Sequence, residues 1–417
     1  MTSEYKSVGH NIRKIGIEQR LRGEPIFSAD LKLEDPLILK VLRSIKAHAR
    51  IKKIKIEKAL QIEGVVRVFT AADIPGENRI GIINKDQPLL ADDKVRSIGE
   101  PVALVAAETE AAAEKALKAI QVTYAELPAV FSPAEALAAG APKIHEKGNL
   151  LFTRKIRKGD VEAAFKQCAA VIEKTYRTGH IEHSYLEPDA GAGYVDYDDS
   201  LVIFASTQNP HYDHKEVVSL LGLDDQQVRI IQAATGGGFG SKLDMNVQGF
   251  IGLALYHLKR PVRIVYSREE AYLATAKRHP LEMKIKTGAD RNGRLLAMQA
   301  VITCDTGSYA SYGIPVASRS AVHATGPYEI ENVDLNTHCV YTNNPFSGTM
   351  RRFGTPQMAI AHESQMDLLA GELGIDPLEI RRINMLKEGS VTATGQKLTA
   401  SVGIGECLDA VQPHYEQ

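Results

Sequence analysis

Apolar residues before position 140 occur in short runs that alternate with polar turns. Such runs, rich in β-branched residues, are typical of strands, and we predict strands at 37–43, 51–56, 65–70, 101–107 and 120–124. The Ala-, Glu- and Lys-rich run at 110–120 predicts a helix. Gly140 and Pro142 end a second, short helix, so we place a domain boundary after residue 145.

After this boundary the chain again contains both strand-like and helix-like apolar runs. We predict strands at 171–177, 201–206, 228–232 and 262–266, and helices at 160–168, 246–258, 357–373 and 376–384. Runs at 281–287 and 295–304 flank an Asn-Gly pair and predict a hairpin. The segment from residue 394 is interpreted as a polar tail without a closing helix or strand. The pattern predicts a mixed α/β (α+β) protein with domains at 1–145 and 146–417.

The composition is that of an ordinary globular protein. The chain has 417 residues, 44% of them hydrophobic and 24% charged, with a formal net charge of -1. Such values are ordinary for a globular protein, and near-zero charge argues against nucleic acid or an anionic membrane as a partner. The first nine residues lack the apolar core of a leader peptide, and no apolar run approaches membrane-spanning length. We therefore expect a soluble, cytoplasmic protein.

The four cysteines are far apart and form no C-x-x-C pair. This spacing argues against an iron–sulfur cluster or structural zinc site on this chain. Sparse cysteines also suit a reducing compartment.

The run from Ala234 to Lys242, Ala-Thr-Gly-Gly-Gly-Phe-Gly-Ser-Lys, combines four glycines with one aromatic residue. A backbone without Cβ atoms can approach a bulky ligand and present its N–H groups. Ser241 and Leu243 exclude the phosphate loop of nucleotide hydrolases, and Ser241 also excludes the dinucleotide fingerprint. A tight strand-to-helix turn with no ligand remains an equal alternative.

Two further loops carry donors that could meet the glycine run. Gln208 leaves a strand just before Pro210, and Arg351 and Arg352 lie in a glycine-bounded loop that leads into a helix. Amide and guanidinium donors favour an anionic or oxo-rich ligand. The alternative is that both arginines are ordinary surface charges.

The remaining polar clusters do not suggest a catalytic or metal centre. His180 and His183 do not form a zinc motif, and we favour structural hydrogen bonds for them. No nucleophile-elbow motif is present. The residues alone therefore predict a ligand cradle without an assigned acid, base or nucleophile.

Four motifs occur together in the chain: Thr207-Gln-Asn-Pro210, Thr235-Gly-Gly-Gly-Phe-Gly-Ser-Lys242, Arg278-His-Pro280 and Arg351-Arg-Phe-Gly-Thr-Pro-Gln357. In this combination and order, the chain resembles the molybdenum hydroxylases, the xanthine dehydrogenase and aldehyde oxidase family. Gly99-Glu-Pro-Val102 and neighbouring runs resemble that family's N-terminal α/β hammerhead domain. Gly159-Asp-Val-Glu-Ala-Ala-Phe165 begins a region similar to the first half of its molybdopterin-binding region.

The resemblance implies a molybdenum-bearing pyranopterin, in bacteria as molybdopterin cytosine dinucleotide with a sulfido or selenido ligand. The metal would be held by the pterin and by no protein ligand. Gln208 would contact the apical oxo group and Arg351 the cofactor, with Gly237, Gly238, Phe239 and Gly240 around the metal ligands. Arg319, Phe353 and, more weakly, Tyr312 would form the substrate pocket.

The chain departs from the family pattern at three positions. Ser241 and Leu243 replace a Gly and a Glu of the G-G-G-F-G-G-K-E motif of purine oxidisers, and Arg352 replaces the Gly of R-G-F-G. The missing Glu counts against a purine substrate, and the resemblance implies an N-heteroaromatic substrate of the nicotinate type. Purine and aldehyde substrates remain alternatives, as does a cofactor-free scaffold of another class.

The family's catalytic Glu, in a G-x-G-E context, would lie far beyond residue 417. Gly403-Ile-Gly-Glu406 has the same letters but falls at the end of the first region. The resemblance therefore implies a second molybdopterin-binding subunit that supplies this Glu. It also implies an FAD subunit and an iron–sulfur subunit with 2Fe–2S clusters, in a dimer of heteromers.

Overall fold

The computed structural model describes residues 5–24 and 26–416, so residues 1–4 and Pro25 of the predicted first domain and Gln417 lie outside it. The fold is mixed α/β, as predicted. The strands are β1 Leu37–Arg43, β2 Ala49–Lys55, β3 Val65–Phe69, β4 Lys94–Val95, β5 Pro101–Ala107, β6 Gln121–Glu126, β7 Leu150–Lys158, β8 Ala170–Arg177, β9 Ala190–Val195, β10 Leu201–Ala205, β11 Val228–Gln232, β12 Val262–Val265, β13 Lys277–Arg278, β14 Leu281–Ala289, β15 Leu295–Gly307, β16 Asn332–Tyr341 and β17 Ser347–Gly348. The helices are α1 Ile17–Leu21, α2 Glu57–Leu60, α3 Glu110–Ala119, α4 Pro133–Leu137, α5 Val161–Phe165, α6 Pro210–Leu221, α7 Val247–Leu258, α8 Arg268–Ala274, α9 Gly313–Val322, α10 Thr355–Leu373, α11 Pro377–Asn384 and α12 Ile404–Tyr415.

A seven-stranded sheet in the order β11-β10-β9-β12-β1-β5-β3 combines strands from both sides of residue 145. Its continuous apolar strands and the apolar helix α7 share one buried cluster, which includes Leu39, Ile203 and Ile251. Strands β10 and β11 pair in parallel, so their carboxyl ends lie at the same edge of the sheet. This edge holds the loops described below.

A smaller layer lies on the N-terminal side of the chain. Strands β4, β2 and β6 form a three-stranded sheet. Helix α3 begins at Thr109, whose side chain accepts a hydrogen bond from the amide of Ala112, and it buries its alanines against β3 and β5.

The second large sheet has the order β7-β16-β15-β14-β8. The long helix α10 packs Met358, Met366 and Leu369 against this sheet. Strand β7 lies at one edge and β8 at the other, and helix α9 crosses the face next to β7.

The C-terminal segment contradicts the sequence-based prediction of a polar tail. Residues 404–415 form helix α12, which packs on α11. Polar contacts hold it in place: Arg382 donates to Asp409 at 2.6 Å, and the hydroxyl of Tyr415 donates to Asp376 at 3.0 Å. Hydrophobic periodicity alone does not reveal a helix fixed by such contacts.

Candidate cofactor site

Three loops meet at the carboxyl edge of β10 and β11. The Gln208 loop lies between β10 and α6, and the glycine loop (residues 234–242) follows β11. The backbone amide of Gln208 donates to the carbonyl of Lys242 at 2.8 Å. In return, the amide of Gly240 donates to Oε1 of Gln208 at 3.0 Å.

The glycine loop is shaped by the absence of side chains. Gly237 and Gly240 have φ values of 103° and 111°, a region that favours glycine. A Cβ at Gly238 would lie 2.5 Å from Oε1 of Gln208, and one at Gly240 would lie 2.8 Å from the carbonyl oxygen of Thr349. Close approach to both neighbouring loops therefore requires glycine at these positions.

The third loop, residues 347–354, closes onto the glycine loop. The amide of Arg351 donates to the carbonyl of Phe239 at 2.8 Å, and Oγ1 of Thr349 donates to the carbonyl of Gly240 at 2.7 Å. The structure thus brings Gln208, Phe239 and Arg351 together. Gln208 and Arg351 are exposed, and Phe239 is 50% exposed.

The predicted pocket residues lie on α9 and on the third loop. The guanidinium of Arg319 stands 4.6 Å from the centre of the Phe353 ring, within cation–π range. Tyr312 precedes α9, and burial, reinforced by Asp244, raises the pKa of its phenol to about 12. Tyr312 is therefore a neutral hydroxyl donor at physiological pH.

Beneath the glycine loop lies a buried ion pair that the sequence patterns did not reveal. The side chain of Lys242 is completely buried, and its ammonium donates to Oε2 of Glu187 at 2.9 Å and to Oγ of Ser206 at 2.7 Å. The same oxygen of Glu187 accepts the amide of Gly236 at 2.7 Å. The ion pair therefore fixes both ends of the turn, while the Tyr185 ring lies 4.6 Å from the ammonium.

Two more carboxyl groups are buried near Gln208. Thr207 and Gln248 donate to Asp213, and the hydroxyl of Ser311 donates to Asp244 at 2.7 Å. Burial raises the pKa of each carboxyl to about 7. Both groups therefore carry only part of a negative charge at neutral pH.

His183 makes a structural hydrogen bond, as expected, and so does His279. Nε2 of His180, by contrast, lies 3.9 Å from Oδ2 of Asp305. Nε2 of His183 lies 2.7 Å from the carbonyl oxygen of Thr349, and Nδ1 of His279 lies 2.9 Å from that of Gly348. In residues 5–24 and 26–416, no group of three or more His, Cys, Asp or Glu side chains is arranged to hold a metal ion.

A helix that crosses a lipid bilayer must combine length with an apolar surface. None in the described part of the chain is both long enough and apolar enough to span a membrane.

The donor set fits an anionic, oxo-rich group. The amides of Gly238 and Phe239 have no acceptor among the described residues, while Oε1 of Gln208 is already engaged by Gly240. The side-chain amide of Gln208 adds a further donor beside the space that a Cβ of Gly238 would fill, and the exposed side chain of Arg351 lies on the adjoining third loop.

Comparison with known proteins gives two family matches. Residues 144–385 match the molybdopterin cofactor-binding domain, and residues 22–128 match the aldehyde oxidase and xanthine dehydrogenase a/b hammerhead domain.

Individual relatives cover nearly the whole chain. The large molybdopterin subunit of nicotinate dehydrogenase from Eubacterium barkeri is 47% identical over 98% of this chain and 96% of its own length. A probable xanthine dehydrogenase subunit from Bacillus subtilis is 39% identical over 94% of this chain, which spans 53% of that protein. The solved aldehyde oxidoreductase of Desulfovibrio gigas superposes with a TM-score of 0.93 at 31% identity, covering 96% of this chain and 46% of the other.

Proposed function

We propose a function for this chain from its family: it belongs to the aldehyde oxidase and xanthine dehydrogenase family of molybdopterin-binding oxidoreductases. The resemblance to the molybdenum hydroxylases that was read from the motifs is confirmed. We propose that the chain is the molybdopterin-binding subunit of a multi-subunit molybdenum hydroxylase.

The proposed substrate is an N-heteroaromatic ring of the nicotinate type, hydroxylated with water as the oxygen source. One observation carries this choice: the end-to-end match to the large subunit of nicotinate dehydrogenase, at 47% identity. Relatives named for xanthine or aldehyde substrates are less similar, at 39% identity or below in the examples above.

The proposed cofactor is molybdopterin cytosine dinucleotide with a sulfido or selenido ligand on molybdenum. When bound, it supplies the two-electron oxidation, and electrons leave through iron–sulfur and flavin partner subunits. This chain would hold it by donors: the side-chain amide of Gln208, the free amides of Gly238 and Phe239 in the Gly237–Gly240 turn, and Arg351.

The orientation of Gln208 follows from its contacts. Because the amide of Gly240 donates to Oε1, the NH₂ group is directed away from that contact and can donate to an apical oxo group. The amide of Gly240 therefore holds the side chain of Gln208 in this orientation. The amides of Gly238 and Phe239 remain available to the cofactor.

Arg319 and Phe353 suit a flat, anionic substrate. The Arg319 guanidinium lies over the Phe353 ring and can pair with a carboxylate on the substrate ring, while Phe353 adds apolar surface. The neutral hydroxyl of Tyr312 adds a donor at the start of α9.

The general base is proposed to come from a second chain. Glu187, beside the glycine loop, already accepts hydrogen bonds from three donors, which suits an anchor better than a proton acceptor. Glu406 lies in the exposed first turn of α12. This chain spans about half or less of the length of the xanthine dehydrogenase and aldehyde oxidoreductase relatives. The match to 96% of a protein named as a large subunit supports a companion chain as the source of the base.

We place the assembly in the cytoplasm, as a dimer of heteromers. The four cysteines are all free, which suits a reducing compartment. The word subunit in the names of the relatives from Eubacterium barkeri and Bacillus subtilis supports a heteromer.

The test is co-expression with the companion subunits, followed by molybdenum analysis and turnover in ¹⁸O-labelled water. We expect stoichiometric molybdenum and labelled hydroxynicotinate, with slower or no turnover of xanthine and of an aldehyde. Xanthine or aldehyde as the preferred substrate would overturn the substrate proposal. A complex without molybdenum would indicate a scaffold.

A further inference from the structure

A basic groove lies along the edge strand β7, outside the cofactor site. It has a volume of about 510 Å³ and runs between β7, the outer face of α9 and the turn at residues 393–395. Side chains alternate along a strand, so Arg154, Ile156 and Lys158 share one face. Nη2 of Arg154 lies 3.4 Å from Oγ of Ser318 on α9, which places this face toward the groove.

The groove collects positive charge that is only partly neutralised within the protein. Four cations of β7 line it: Arg154 and Lys158 on the face toward α9, and Lys155 and Arg157 on the opposite face of the strand. Arg157 pairs with Asp334 at 2.8 Å, but no other carboxylate of the described residues lies within ion-pair distance of these four. The ammonium of Lys158 instead donates to two backbone carbonyls, of Ile330 and Val391, each at 3.1 Å.

Edge strands often carry lysine and arginine simply to prevent pairing with other chains. Strand β8, the opposite edge of the same sheet, provides an internal comparison. Two of its three charged residues are paired across the strands, Glu173 with Lys284 at 2.9 Å and Arg177 with Glu282 at 2.8 Å, and only Lys174 has no ion-pair partner among the described residues. Strand β7 thus carries three cations without an ion pair (Arg154, Lys155 and Lys158), against one on β8, so protection of an edge does not account for the excess of positive charge at β7.

The walls of the groove also carry apolar surface. Ile156 and Val322 face the cavity alongside the cations, and Val322 is 42% exposed. Cavities of about 300–1,000 Å³ with apolar walls and a few charged groups are typical of small-molecule sites. Arginine and lysine together favour phosphate oxygens.

We propose that this groove binds a phosphorylated small molecule of nucleoside-diphosphate size. Arg154 and Lys158 would contact the diphosphate, and Ile156 and Val322 would contact the apolar part. Ser318 and Val322 lie four residues apart on one face of α9, while Arg319 turns toward Phe353 on another. The groove is therefore separate from the cofactor site, and the proposal does not depend on the redox function.

The test is calorimetric titration of the full chain with ADP, inorganic pyrophosphate and polyglutamate, in low and high salt. Arg154→Glu reverses a charge whose polar contact within the protein is a long one to Ser318, so the variant should fold. We expect ADP and pyrophosphate to bind, and Arg154→Glu to weaken both by about tenfold or more. Lys174→Glu, on the opposite edge strand β8, is the matched charge-reversal control and should bind as the unmodified chain does.

Absence of ADP and pyrophosphate binding would overturn the proposal, as would equal binding by the Arg154→Glu variant. Binding of polyglutamate without binding of either phosphate compound would also overturn it and would identify an acidic polypeptide as the partner. Circular dichroism of each variant confirms that a loss of binding is not a loss of fold.

Discussion

At the scale of single residues, Arg352 adopts a backbone conformation that suits glycine, with a φ of 64°. The family motif has a glycine at this position. The backbone of the turn is therefore in a conformation suited to glycine, which is strained for an arginine. We expect Arg352→Gly to raise the free energy of unfolding by about 0.5–1 kcal/mol, because the left-handed conformation disfavours a Cβ. Urea denaturation measures this change.

The neighbouring Arg351→Gly variant is the control for this prediction. Arg351 has no positive φ, so glycine there increases only the entropy of the unfolded chain and should destabilise the protein. Equal destabilisation by both variants would show that Arg352 is not strained.

Gln208 provides the second prediction at this scale. Gln208→Glu keeps the acceptor for the amide of Gly240 but loses the NH₂ donor proposed to face the cofactor. We expect kcat of the assembled enzyme to fall by about 10²–10³-fold, as for loss of one preorganised donor. Gln61→Glu, at an exposed position after α2, should leave kcat unchanged. A change of less than twofold in Gln208→Glu at normal molybdenum content would contradict the assigned role.

At the scale of elements, the Glu187–Lys242 pair joins the loop before β9 to the end of the glycine loop. Removing one partner leaves an uncompensated buried charge, so Glu187→Gln and Lys242→Met should each cost about 3–5 kcal/mol of stability. The double variant should cost less than the sum of the two. Chemical denaturation of all four proteins gives the coupling energy, and additive costs would rule out direct coupling.

Gly238 tests the fit between the glycine loop and the Gln208 loop. In Gly238→Ala the new Cβ would displace the side chain of Gln208. We expect molybdenum content to fall severalfold while the isolated chain remains folded. Gly371→Ala, where no atom lies within 4 Å of the added Cβ, is the control and should retain molybdenum. Full molybdenum content in Gly238→Ala would exclude a tight contact at this point.

Much of the element pattern could be predicted from the sequence, because apolar runs and turn residues are local signals. Strands β1, β5 and β11 have the predicted bounds. Strand β9 was not predicted, since Gly191 and Gly193 weaken any strand signal. Both glycines are required by tertiary contact: a Cβ at Gly193 would lie 2.9 Å from Ile251 on α7.

The candidate site was predictable to a similar extent. Gln208, Phe239 and Arg351 stand in glycine- or proline-rich loops, which are local signals, and the structure brings these loops together. Glu187 and Lys242 were not predicted as a pair, because 55 residues separate them and neither lies in a recognisable charge pattern. Only the folded sheet brings them together.

At the scale of the whole molecule, buried histidines should control stability in acid. Burial lowers the pKa of His279 to about 3 and that of His145 to about 4, from 6.5 in a model peptide. The neutral form is favoured in the fold, so this stability is present above pH 6.5 and is lost as the pH falls toward these values. For His279 alone the loss by pH 5 should be about 2 kcal/mol.

Comparison with His279→Gln isolates this effect. Buried carboxyl groups such as Asp244, with a pKa raised to about 7, act in the opposite direction between pH 4 and 7 and would mask it in a single curve. We expect the unfolding free energy of the unmodified chain to fall relative to His279→Gln between pH 8 and 5. The exposed His211→Gln serves as control, and parallel curves for all three proteins would refute the prediction.

The placement of β12 beside β1 has a consequence for biosynthesis. Leu37 pairs with Val262, so a nascent chain on the ribosome carries β1 with one flank open until the segment near residue 265 has emerged. Pairing between strands so far apart in sequence slows folding. Until it occurs, the unpaired edge of β1 can pair with other chains. The first half of the nascent chain therefore carries an unpaired strand edge until β12 is available to pair with β1.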